Sequence, residues 1–244
     1  MKIDVNFNFT TDTSGFWDGF WDSGLGNHRD NSDPDAISKT LKEYHRILWS
    51  RKLPNGQVMK LADNGDYLGW GDFRFASDIL ITGQRYERIR KVLENVPNYR
   101  QFVEEFVRKA YTIGNFIIWP KHNNSINQVR GTCPGICDRF DLTLDCIKKY
   151  YSGETSELYD VLVGDKKFFD LFVDFKGFVD FFYLGAWVDK EYKVKNLFHG
   201  EYEVKNLLPG NDVLPDNSTA YINYVKNALG VIEQRNNDID KAVK

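Results

Sequence analysis

The chain has 244 residues, of which 42% are hydrophobic, 27% charged and 15% aromatic, with a formal net charge of −3. That length and balance suit a soluble globular protein, and the acidic net charge argues against a general nucleic-acid coat, which needs a basic surplus. No apolar run approaches the ~20 residues needed to cross a bilayer, so no membrane partner is expected.

Met1–Phe9 alternates apolar Ile3, Val5, Phe7 and Phe9 with polar residues and carries neither a basic segment nor an apolar core of a signal peptide. It reads as an opening strand with one buried face, and the protein as cytoplasmic. Residues 16–33 echo themselves (FWDG, FWDS) and are rich in Gly and Asp, which predicts a loop. Its rings either tuck onto the body or, through Trp17 and Trp21, offer a platform to a protein partner.

Asp33-Pro34 is a helix start, an N-cap followed by proline at the first helical position. Ile37, Leu41, Tyr44 and Leu48 then share one helical face up to the Leu53–Gly56 turn. Short strands (VMKLA, WGDFRFA and DILIT) are expected within residues 57–82, with Asn64-Gly65-Asp66 as a hairpin turn. A basic helix over ERIRKVLENV follows, then one opened by Pro97 with Phe102, Val103, Phe106 and Ala110 inward.

Phe116–Trp119 reads as a compact buried strand stopped by Pro120. Phe140, Leu144, Ile147 and Tyr151 again fall on one helical face, ending near Ser152-Gly153. Two aromatic helices, DKKFFDLFVDF and GFVDFFYLGAW, are apolar over much of their circumference and belong in the core. A tandem ten-residue repeat spans 191–210, and a closing helix over about 218–237 presents Tyr221, Ile222, Val225, Leu229 and Ile232. The expectation is a single α+β domain over 1–244, predominantly helical, with a small sheet supplied mainly by the N-terminal half.

The chemistry of greatest interest lies in NQVRGTCPGICDRFD, residues 127–141. Cys133, Cys137, Cys146 and His122 could form a Cys3His zinc site only by converging on one point, but Cys146 sits within a helical stripe. No metal is expected, and buried or incidental thiols are the simpler account. There is no G-x-S-x-G elbow, P-loop or G-x-G-x-x-G, so no cofactor is implied. Asp138 is placed to cap the following helix and Asp141 to reach back to it.

Arg130 and Arg139 flank the positive end of that helix, where cations are unfavourable unless an anion lies between them. The anion is either a ligand phosphate or carboxylate, or a protein carboxylate such as Asp180 in the apolar run GFVDFF. The ligand reading gathers Asn115, Asn127, Arg130 and Arg139 into a pocket for a small anionic, phosphate- or nucleotide-like ligand. In a hydrolase or transferase, the arginines would stabilise developing charge and Asp138 would be the nearby acid–base candidate.

YTIGNFIIWP, INQVRG, DRFDLTLDCIKKYY and FFDLFVDFKGFVDFF, with Asp33-Pro34-Asp35, YHRILWSRKLPNG and FASDILIT, resemble an uncharacterised bacterial protein family. The resemblance implies one coherent domain and no particular substrate; the aromatic stretch at 16–31 and the tandem repeat depart from the family pattern. TIGNFIIWPKHNNSIN is also similar to the later part of HNH-type nuclease domains, but the Asp/Glu-His pair that should precede it is missing. An interaction module in stress or phage defence, and a divergent HNH-like metal-dependent nuclease, are the alternatives to the anion pocket.

Overall fold

The computed structural model describes residues 2–17, 33–81, 91–198 and 213–244. Over these it is an α+β fold, mostly helical, around a four-stranded antiparallel sheet in the order β1-β2-β3-β4. The strands are β1 (Ala62–Asp63), β2 (Leu68–Trp70), β3 (Phe73–Ile79) and β4 (Phe116–Pro120).

The opening segment keeps its predicted alternation of burial but is not a strand. Ile3 and Phe9 are buried, Val5 and Phe7 half-buried, and a 3-10 turn runs over Phe9–Asp12. Ring packing takes the place of a ladder here: Phe9 stands edge-on to Tyr44 and Phe116, 5.6 and 5.3 Å away. Phe16 is buried and Trp17 half-buried against the core, while Trp21 lies outside the described residues.

Asp33 caps α1 (Pro34–Ile37) by accepting from the Asp35 N–H, as the sequence predicts. The helix breaks at Ser38, whose hydroxyl accepts from Leu41 N–H and starts α2 (Lys39–Trp49). Ile37 is therefore exposed, whereas Leu41, Tyr44 and Leu48 face the core. Residues 64–67 link β1 to β2, as predicted. The segment read as one strand, WGDFRFA, contains the tight Gly71-Asp72 turn between Trp70 and its partner Phe73. Gly71 has φ +55°, a conformation that glycine adopts without steric cost.

The helix α3 (Tyr99–Ala110) precedes β4, which is buried along its whole length and pairs with β3 in the register Phe75↔Pro120 to Ile79↔Phe116. Two short-range helices follow, α4 (Ile126–Thr132) and α5 (Phe140–Tyr151). The aromatic region forms α6 (Tyr159–Gly164), α7 (Lys166–Phe169), a 3-10 turn over Asp170–Phe172, and α8 (Phe175–Phe181). Its rings make the centre of the core: Trp119 stacks on Phe178 at 6.0 Å, and Phe140 meets Trp187 edge-on at 4.7 Å. Such pairs add roughly 0.5–1.5 kcal/mol each beyond their burial.

The closing helix α9 (Ser218–Val243) runs longer than predicted and packs against α3 and the 3-10 turns at Ile113–Asn115 and Gly185–Trp187. Its buried stripe continues past Ile232 to Arg235, Asn236 and Ile239. The Arg235 guanidinium donates to the carbonyls of Phe182, Gly114 and Phe116 at 2.9–3.0 Å. Burial pushes it down to about 9. Among the described residues no helix is long and apolar enough to cross a membrane.

Candidate functional site

The Arg130 and Arg139 guanidiniums are both buried, and the chain itself supplies their anions. Arg130 Nη1 contacts Asp78 Oδ2 at 2.8 Å and Asp138 Oδ1 at 3.0 Å. It also donates to the carbonyls of Ile79, Leu80 and Asp138, so α4 is pinned to the end of β3. Burial alone disfavours its charge, but the Asp138 and Asp78 carboxylates more than reverse that. Arg139 pairs with Asp141 through both Nε and Nη2, and also donates to the Val213 carbonyl and the Asn196 side chain. These fork-shaped contacts use the guanidinium donors in their preferred geometry.

The expected ligand pocket between the arginines is therefore corrected: each one is enclosed by a protein carboxylate. Asp180, the carboxylate proposed from sequence, lies on the surface with Lys176 and Tyr192. Asp138 is not the helix cap either. It has φ +59°, and Arg139 occupies the N-cap position of α5. Asp138 is buried on Arg130, which removes it as an acid–base candidate.

Asn115 also has a structural partner. Its side chain accepts from Ile81 N–H at 3.0 Å and donates to Ile81 O at 3.1 Å, while its carbonyl accepts from Leu80 N–H. The amide thus acts as an extra peptide group that prolongs the β3–β4 pairing. Asn127 accepts from the Ser125 hydroxyl at the start of α4. None of these four side chains lines the clefts at Asp35, Arg51 or Asp165.

Among the described residues no group of three or more His, Cys, Asp or Glu side chains is arranged to hold a metal ion. Cys133 and Cys137 are half-buried, and burial pushes the Cys146 thiol up to about 11.

A polar array that sequence reasoning missed opens into a cleft of about 360 Å³ between α1–α2 and the β2–β3 hairpin. Trp49 Nε1 donates to His45 Nδ1 at 2.9 Å, and His45 Nε2 lies 2.9 Å from Ser77 Oγ. An indole N–H can only donate, so the neutral imidazole carries its proton on Nε2 and donates it to Ser77. Burial pushes His45 down to about 3, with the Arg235 charge adding to the effect, which keeps the ring neutral. Ser77 Oγ in turn points to Asp35 Oδ1 at 3.4 Å, and Asp35 Oδ2 accepts from Ile79 N–H at 3.0 Å.

Asp35 is half-buried at the inner end of this cleft. Burial, then the charges of Asp33 and Asp78, hold it well above the usual carboxylate range. On the neighbouring position of β3, burial pushes Asp78 up to about 7 against the pull of Arg130. Lys42 and Lys121 stand at the mouth; their ammonium groups reach the carbonyls of Gly65 and Asp66. The His45–Ser77 contact has the composition of a nucleophile–base pair but the wrong proton polarity for one, since Nε2 is already a donor. The arrangement can instead present a hydroxyl and a carboxylic acid to a bound molecule.

The sequence does hold a signal for this site. Ser77 and Asp78 interrupt an otherwise apolar run, FASDILIT, in what proves to be an interior strand, and buried polar groups there need partners.

No curated protein and no solved structure matches the chain. A family model does match, over residues 3–239, and by that match the chain belongs to DUF6994, a family of unknown function.

Proposed function

We propose that this protein binds a small anionic molecule in the cleft between α1–α2 and the β2–β3 hairpin. Asp35 and Ser77 meet a hydroxyl, amine or carbonyl of the ligand at the inner end. Lys42 and Lys121 meet its phosphate or carboxylate at the mouth. The observation that carries this reading is the relay Trp49–His45–Ser77–Asp35, which orients polar groups toward an open cleft of about 360 Å³. Such a few convergent polar groups in an otherwise apolar concavity are the usual make-up of a ligand site.

If the bound molecule is a substrate, Asp35 replaces Asp138 as the proton donor of a hydrolase or transferase. Its raised pKa supplies a protonated acid above the ordinary carboxylate range. A protein-partner reading through Trp17 and Trp21 has less behind it, because Trp17 packs against the core.

The test is a thermal-shift panel of phosphate- and carboxylate-bearing metabolites, followed by calorimetry on Asp35→Asn, Ser77→Ala and Lys42→Ala proteins. A true ligand should lose at least about tenfold in affinity, or about 1.4 kcal/mol, with Asp35→Asn or Lys42→Ala. A panel in which every hit binds all three variants as it binds the wild type would place the ligand elsewhere.

A further inference from the structure

A second cleft, of about 370 Å³, lies beyond Lys121, between the β3–β4 end of the sheet and the junction of α6 with α7. Its walls include Phe73, Arg74, Lys121, His122, Asp165 and Lys167. The strand register places Phe75 opposite Pro120, and Lys121 N–H donates to Arg74 O at 2.8 Å, so Arg74 and Lys121 are cross-strand neighbours. Like charges in that position repel each other, and among the described residues neither forms an ion pair with a carboxylate. Lys167 faces the same cleft from α7 and likewise makes no ion pair there.

The carboxylate beside them is already neutralised. His122 Nε2 is 2.6 Å from Asp165 Oδ1, and its Nδ1 is 2.9 Å from the Asn123 carbonyl. With Asp165 ionised both partners accept, so both ring nitrogens then donate and the imidazole is cationic. Counting Asp72 as well, the cleft retains a positive excess within a chain of net charge −3.

One wall is aromatic. Phe73 is half-buried and stacks almost parallel on Trp70 (5.8 Å, 8°) and on Phe75 (5.7 Å, 14°). Arg74 lies over the Tyr67 ring at 5.1 Å, which limits the orientations of its guanidinium. A rigid ring beside three cations without carboxylate partners suits a ligand that joins a flat heterocycle to a phosphate.

From the cross-strand Arg74–Lys121 pair, Lys167 and the Phe73 wall, we infer that this cleft is a binding site for a nucleoside monophosphate. The phosphate sits among Arg74, Lys121 and Lys167, and the base lies against Phe73. The inference shares Lys121 with the reading of the Asp35 cleft, whereas Arg74, Lys167 and Phe73 line this cleft and not that one.

The experiment is calorimetry at low ionic strength with AMP, adenosine and inorganic phosphate as probes, on the wild type and on Arg74→Ala, Lys167→Ala, Phe73→Leu and Asp35→Asn proteins. AMP should bind at least about tenfold more tightly than phosphate or adenosine, and Arg74→Ala or Lys167→Ala should each weaken it at least about fivefold. Phe73→Leu should erase the advantage of AMP over phosphate, while Asp35→Asn should leave AMP affinity unchanged. No saturable AMP binding below about 5 mM, or AMP binding indifferent to Arg74→Ala and Lys167→Ala, overturns the site. Equal affinity for AMP and phosphate in the wild type overturns the role of Phe73. Loss of AMP affinity in Asp35→Asn alone assigns the nucleotide to the other cleft and overturns this one.

Discussion

Val173 is a β-branched residue at φ +70°, ψ −52°, and 63% of it is exposed. The Asp174 N–H donates to Phe172 O at 2.8 Å across it, closing a tight three-residue turn that leads into α8. A β-branched side chain in that region costs on the order of 1–3 kcal/mol, and the exposed valine recovers little of it by burial. Val173→Gly should therefore raise the unfolding free energy by roughly 1 kcal/mol after glycine's own entropy cost is subtracted, read as a higher midpoint in urea unfolding. A lower midpoint would mean that the valine makes a stabilising contact not evident in its exposure. His122 gives a second expectation at this scale. The Asn123 carbonyl, and the hydrogen bond and charge of Asp165, raise its pKa above 6.5 despite partial burial. A histidine raised in the folded state adds stability below its unfolded pKa and loses it as pH rises through the folded value. Burial raises Asp165 as well, so ionising it above the usual carboxylate range costs stability in the same direction. An NMR titration should show the His122 ring titrating above its usual value, and falling back toward it in Asp165→Asn. An unchanged titration in that variant would detach the two groups.

At the scale of elements, β4 and α9 show how little room the fold leaves. Gly114, at the entrance to β4, donates its N–H to Asn236 Oδ1 at 2.6 Å. A Cβ at that position would stand 2.4 Å from Ile232 O and 2.6 Å from Asn236 Oδ1. Gly114→Ala must push α9 away from the strand and should cost about 1–3 kcal/mol, read as a lower thermal midpoint. Several elements were legible from local chemistry: the Asp33 cap, the 64–67 turn, the buried Phe116–Trp119 strand and the Phe140–Tyr151 face. Each is fixed by residues within a few positions of one another. The opening segment and the Arg130 partner were not, for the same reason. Whether Ile3–Phe9 joins a ladder depends on a neighbour that the sequence does not name. Arg130 reaches Asp78 across 52 positions, a pairing set only when α4 docks on β3. The candidate site shows that limit most clearly. The sequence marked two cations near the start of a helix, and the fold buried both on carboxylates while assembling a cleft from Asp35, His45 and Ser77.

At the scale of the molecule, charge is divided between inside and outside. The buried Arg130–Asp78–Asp138 cluster ties α4 to the sheet and to the segment before α5, and the Arg139–Asp141 pair fixes the first turn of α5. Removing one partner strands the other in a low-dielectric interior, so these arginines serve the fold before any chemistry. The surface clefts at Asp35 and at Arg74 meet at Lys121, and both take their walls from the β2–β3 hairpin and the end of β4. The two binding proposals therefore meet at Lys121, each with its own discriminating substitutions.

The relay behind Asp35 runs in one direction only. Each donor from Trp49 to Ser77 points outward, and the indole at its inner end has no lone pair with which to take a proton. Protons cannot be conducted inward along it, because His45 stays neutral and its acceptor nitrogen is occupied by Trp49. Asp35 is thus isolated from the interior as an acid. Whatever proton it gains or loses must be traded with the water or molecule that fills the cleft.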